Sequence, residues 1–449
     1  MRIIGSALLL LSIVAGPSGA TAMPLIKGWA QTDGGRGGAI VRVTNLNADG
    51  VGSFKAAVER KGPRIVVFEV GGVIDLGLTT LTIAEPNLTI AGQTAPSPGI
   101  TLIRGGIDIK THDVIVRHIR VRTGASGQAK RSGWEADSMS TVGAYNVIVD
   151  HCTMTWGLDE NLSASGPRFS GKTLADWRKG TSHNITFSYN ILAESLADSS
   201  HPKGEHSKGS LIHDNATGIL IARNLYAHNY ERNPLLKGGA QVALVNNVIF
   251  NPGAQAVHYN LMDLEWTGQR PVAGELTAVG NVLRSGFSTR DDIAFLSIGG
   301  MGDLRYHGRD NVAVGRLGRP LPMFGRYTTG PARIIETDRP TVWPAGLTAL
   351  PATEVETHVL RFAGARPWDR DTHDLRVVFD TAEGRGTIID DEKQVGGYPV
   401  QKETRAPFVE AEWNLDTMEP RSGRYPGQRT DYVAQPTTER DLQMREVTR

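Results

Sequence analysis

The stretch from residue 231 to 239, ERNPLLKGG, sets two cations, Arg232 and Lys237, on one short turn that follows a β-like run. Paired cations of this kind suit an anionic ligand. Carboxylates stand elsewhere along the chain: Asp137 in WEADSMS, and Asp159 beside Glu160 in GLDENLS. Such an oxygen set suits a hard cation. Calcium takes six to eight oxygens, and a protein that supplies fewer leaves room for water or a substrate carboxylate. Neighbours on a strand face opposite ways, so Glu160 is not expected to reach the same ion as readily as Asp159. No EF-hand loop is present, and the histidines lack tight zinc spacing. His151 and Cys152 are also strand neighbours, so a buried Cys152 is expected rather than a Cys/His nucleophile pair.

These residues are far apart in the chain, so a repeating scaffold must bring them together. DVIVRHIRVR, NVIVDHCTMTW, HNITFSYNILAE, GILIARNLYAHN, VALVNNVIFN and TAVGNVLRSG each alternate apolar residues as a strand does. Aligned, they place Ile119, Cys152, Asn190, Asn224, Asn247, Asn281 and Asn311 in one column, with steps between 23 and 38 residues. Helical repeats keep a stricter period. The variable period suits an all-β, right-handed, single-stranded parallel β-helix. Asn in such a column can take a left-handed corner, or stack its amide from rung to rung at about 4.8 Å. Counting from the column puts Asp159, Asp198 and Arg232 on one edge, and Asp137 and Lys208 on a second. Acidic and basic side chains would then line one groove.

The ends read differently. MRIIGSALLLLSIVAGPSGATA has a basic start, an apolar stretch too short to span a bilayer, and small residues ending at Ala22; residues 1–22 are expected to be a signal peptide, and the protein secreted or periplasmic. Ser53 is expected to cap a short helix to about Arg60 that covers the open end of the solenoid. The β-helix is expected over residues 23–320. Residues 321–449 are expected to form a long irregular C-terminal extension, packed along the outside, with a partly disordered tail. A formal net charge of +1 gives no bias toward nucleic acid or membrane, and one cysteine excludes an intrachain disulfide framework. A monomer is expected.

NVIVDHCTMTWGLDENLS and NLYAHNYERNPLLKGG, with GGRGGAIVRVTNL and PRIVVFEVGGVIDL before them and VGGYP after, resemble the blocks of bacterial pectate lyases of the first polysaccharide lyase family. The resemblance runs from about Gly34 to Asn311, and more thinly to Pro399. It implies a parallel β-helix that cleaves polygalacturonate by β-elimination with Ca²⁺. It also implies that Arg232 is the catalytic base, that Lys237 stands where a second Arg grips the substrate, and that Lys208, with Lys203 as alternative, contacts a sugar carboxylate. Asp137 and Asp159 match calcium-binding aspartates. Ser163 stands where a third Asp is common, and Glu160 is the residue that could compensate. The Arg117, Arg120 and Arg122 cluster either binds anionic sugar, with Arg120 as the substrate-binding candidate, or forms a salt-bridged face. The alternatives on the same scaffold are a glycoside hydrolase of polyuronates using Asp159 and Asp198, and a non-catalytic carbohydrate-binding β-helix.

Overall fold

The structure is a computed structural model that describes residues 24–428. The expected signal peptide and the polar tail beyond Gln428 lie outside the described residues.

Short apolar strands stack into coils of a parallel β-helix with three faces. The first face runs through His112–Arg117, Tyr145–Asp150, His183–Ser188, Thr217–Ala222, Gln241–Val245 and Gly274–Val279. The second runs through Ile119–Arg122, Thr153–Thr155, Ile191–Ala193, Leu225–Ala227 and Val248–Phe250, and the third through Met139–Val142, Leu162–Ser165, Leu211–Ile212, Leu235–Lys237 and Val257–Leu261. All pairing within these faces is parallel and in register, for example Thr153 with Arg120 and with Ile191. Inward-facing Val, Ile and Leu fill the interior as one continuous core. No helix among the described residues is long and apolar enough to cross a membrane.

The column stands at the bend between the first two faces. Asn190, Asn224, Asn247, Asn281 and Asn311 form an amide ladder in which each Oδ1 accepts the backbone N–H of the column residue one coil earlier, starting with Cys152. From Asn190 to Asn281, each Nδ2 donates to the next Oδ1 as well. The corner itself is made one residue earlier than the sequence pattern placed it. His118, His151, Tyr189, Arg223, Asn246 and Asp310 have the left-handed backbone. This frees the column Asn to satisfy buried backbone groups. Outside the same bend, His118, His151 and Tyr189 stack from coil to coil with ring centroids 5.1 and 4.6 Å apart.

Ser53 accepts the Ala56 N–H (3.2 Å) and caps helix α1, Phe54–Glu59, whose Phe54, Ala57 and Val58 enter the core at the open end. Past a capped second helix, α2 (Leu174–Gly180), the coils continue beyond residue 320 to strands Phe324–Arg326 and Ile334–Glu336. The C-terminal region then brings two further helices, α3 (Ala352–Phe362) and α4 (Thr372–Glu383). Their Val355, Val359, Val377 and Val378 pack on Ile191, Leu225, Val248 and Val282, covering the second face.

That cover decides the arginine cluster. Arg120 and Arg122 are buried against Asp371 and Asp374 at the start of α4, and Arg117 against Asp150 and Glu419. The salt-bridged face is the correct alternative, and Arg120 has no access to a substrate. Burial pushes the Asp371 carboxyl up, but Arg122 and Arg120 outweigh it and hold it well below the usual carboxylate range. A depressed folded pKa contributes stability above the unfolded value near 4, and loses it as pH falls through the folded one.

Asn224→Ala strands the Asn190 amide and the Phe187 carbonyl, so denaturant unfolding should show a loss of about 3 kcal/mol. Asp371→Asn should lower the melting temperature at neutral pH, by about 3 kcal/mol of stability, and flatten its fall below pH ~4.

Candidate active groove

The groove residues enter just before the strands of the third face. Glu160 bridges Lys208, and Lys208 bridges Glu231, each as a parallel β-bridge between successive coils. Asp137 precedes Met139, which pairs with Leu162, so Asp137 adjoins Glu160; its Oδ1 accepts the Glu160 N–H at 2.9 Å. The two edges expected from residue counting are therefore one edge. Arg232 lies on the same turn as Glu231, in left-handed backbone at φ 61°. For a bulky non-glycine residue this conformation costs energy, and it aims the guanidinium back across the coils.

Arg232 pairs with Glu160 through Nη1 and lies 3.7 Å from Asp159 Oδ1. Asp137, Asp159 and Glu160 each offer an oxygen within 4.8 Å of the others. Glu160 thus joins the cluster that strand alternation placed it away from, because residues 157–161 run as an irregular turn before Leu162 rather than as strand. Asp159 Oδ1 is buried and faces His206 Nε2 at 3.0 Å. Three convergent carboxylates fit a hard cation. Ser163 does not contribute: it is buried and its Oγ accepts the Leu211 N–H (3.3 Å).

Lys208, and not Lys203, joins this edge. Its ammonium pairs with Glu231, whereas Lys203 is exposed and its backbone N–H donates to His201 Nδ1 (3.2 Å). Lys237 pairs with Glu265. Asp198 pairs with Lys130 (2.7 Å) and does not join the Asp137, Asp159 and Glu160 cluster.

Charges set the protonation of the groove. Burial raises the Asp137 carboxyl well above the usual range, and the Asp159 charge adds to it. Burial also pushes Asp159 up, but the His206 hydrogen bond and Arg232 outweigh it and hold it at about 2. Burial lowers the Arg232 guanidinium, although Asp159 and Asp137 oppose the shift.

Several groups here gave no signal in the sequence. His206 Nε2 lies 3.0 Å from Asp159 Oδ1, and His201 Nε2 lies 2.9 Å from Glu135 and 3.8 Å from Asp159. His201, His206 and Asp159 thus come together despite the spacing of the histidines. They do not make a metal centre. His201 Nδ1 accepts a backbone N–H, so the neutral ring keeps its proton on Nε2, where a metal ligand needs a lone pair. Glu231 was legible only as the neighbour of Arg232, and Glu135 and Glu265 in no way at all.

The fold and this edge define a parallel β-helix protein with an acid-and-base groove on its third face. The chain is 32% identical over 408 residues to a probable pectate lyase C of Aspergillus oryzae, covering 88% of this chain and 86% of the relative. It is 32% identical over 406 residues to a probable pectate lyase C of Neosartorya fischeri, covering 87% and 85%. The cedar pollen allergen Jun a 1 shares the fold with a TM-score of 0.53 at 15% identity, over 76% of this chain and 92% of the allergen. A thermostable pectate lyase, PL 47, does so at 0.50 and 17%, over 76% and 96%. No protein-family model matches. The chain belongs to the pectate lyase family.

Cys152 is fully buried below the bend, and burial pushes its thiol up to about 12. A thiol held protonated is a poor nucleophile. Native protein should resist thiol alkylation at pH 8, and Cys152→Ala should keep the wild-type kcat; rapid labelling with loss of activity would contradict this.

Proposed function

We propose that this protein cleaves the α-1,4 bonds of pectate by β-elimination, with Arg232 as the base. The observation that carries the reading is the single edge on which the Arg232 guanidinium, depressed by burial, faces Asp159 and Glu160 with Lys208 one coil away. The pectate lyase relatives support it.

Arg232, Lys208 and Lys237 are matched against Asp137, Asp159, Glu160, Glu231 and Glu265. An edge with more carboxylates than cations repels a polyanion. Asp137, Asp159 and Glu160 would hold Ca²⁺, which when bound supplies positive charge to the uronate carboxylate. Lys208 adds charge at the same carboxylate, stabilising the enolate-like transition state. In its neutral form Arg232 takes the C5 proton. The C5 electron pair becomes the C4–C5 double bond, the C4–O bond breaks, and the departing oxygen is protonated by water. Arg232 is charged at neutral pH by its ordinary pKa of about 12.5 or more, so its depression by burial places the working range on the alkaline side. A signal peptide at residues 1–22 would deliver the enzyme outside the cytoplasm.

The test is the unsaturated product, which absorbs in the ultraviolet, formed from polygalacturonate with and without a calcium chelator. Activity should require Ca²⁺ and rise from neutral to alkaline pH. Arg232→Lys should lower kcat about 10²–10⁴-fold. Reducing ends without ultraviolet absorbance would indicate a hydrolase, and near-wild-type turnover by Arg232→Lys would remove Arg232 as the base.

A further inference from the structure

The Lys237 ammonium, expected to grip a substrate carboxylate, is held by a carboxylate of the chain itself. Glu265 sits on a 3-10 turn, Asp263–Trp266, and reaches two cations at once. One oxygen meets Lys237, and the other lies 3.2 Å from Arg168 Nη2. The turn is anchored from beneath. Trp266 is buried; its Nε1 donates to Asp214 (2.6 Å), and its ring packs edge-on against Phe169 and Trp177. The other Asp214 oxygen takes Arg168 Nε at 2.8 Å, so one fully buried carboxylate fixes both the turn and the arginine. The Glu265 side chain remains 28% exposed while Lys237 is 7% exposed. A sugar arriving at Lys237 therefore meets Glu265 first.

We infer that Glu265 is a specificity-determining residue: it occupies the place of one substrate carboxylate, so the sugar at Lys237 is accepted when its C6 carboxyl is esterified and disfavoured when it is free. The inference rests on the pectate-cleaving reading and deepens it. A free uronate at this position would lie against a carboxylate whose two cationic partners are already engaged, and like charges at close range cost binding. A methyl ester brings no charge. It leaves the Glu265 pairs intact and needs only contact with the apolar rim of the turn, where Leu264 is 83% exposed. The favoured polymer is then a partly methyl-esterified pectate, with a free carboxylate at the Asp137, Asp159 and Glu160 cluster and an ester at Lys237.

The experiment compares kcat/KM on unesterified and on partly methyl-esterified polygalacturonate, followed by ultraviolet absorbance at saturating Ca²⁺. The enzymes are wild type, Glu265→Gln and Glu265→Asp. Wild type should prefer the partly esterified polymer. Glu265→Gln removes the charge at nearly constant shape and should shift the ratio at least about tenfold toward the unesterified one, the equivalent of about 1.4 kcal/mol. Glu265→Asp keeps the charge and should stay within about threefold of the wild-type ratio. An unchanged ratio in Glu265→Gln, or equal shifts in both variants, would overturn the inference while leaving the lyase reading standing. No unsaturated product from wild type on either polymer would overturn the lyase reading and this inference together.

Discussion

The amide ladder at the first bend is the constraint on which the rest of the structure depends. A parallel coil buries backbone N–H groups at every corner, where no strand can pair them, and such groups are costly when unsatisfied. Asn190, Asn224, Asn247, Asn281 and Asn311 supply the missing partners, and each ties its coil to the one before. The ladder fixes register as well as contributing stability. A slip of one residue would turn the apolar side chains outward. It would also move Glu160, Lys208 and Glu231 off their shared edge.

On that edge, charge is balanced locally and not by sign across the molecule. Each of the three cations has an in-chain carboxylate: Glu160 for Arg232, Glu231 for Lys208, Glu265 for Lys237. Buried cations left unpaired would be costly, so the pairing is a condition for holding them in the groove at all. The histidines are part of the same economy of charge. His206 and His201 lie against Asp159, which stays ionised despite its burial.

The coil architecture was legible because alternation and the Asn column are local signals repeated many times over. The cap at Ser53 was legible for the same reason: a cap is a short-range hydrogen bond. The corner was misplaced by one residue because both neighbours in a bend are polar or bulky, and only the backbone tells which is left-handed. The arginine cluster stayed undecided because its partners, Asp371 and Asp374, lie some 250 residues further along.

The sequence by itself determined the repeating β core, the column, and the acidic and basic residue types that line the third face. Periodicity and motif both depend on near neighbours, and near neighbours are written in order. Only the tertiary structure decided that Asp137 and Lys208 share an edge with Glu160, that Glu160 reaches Arg232, that Arg120 is sealed under α4, and that Lys237 is already engaged by Glu265. Those outcomes depend on how the irregular turns between strands project their side chains, and turn conformation follows from contacts made across coils.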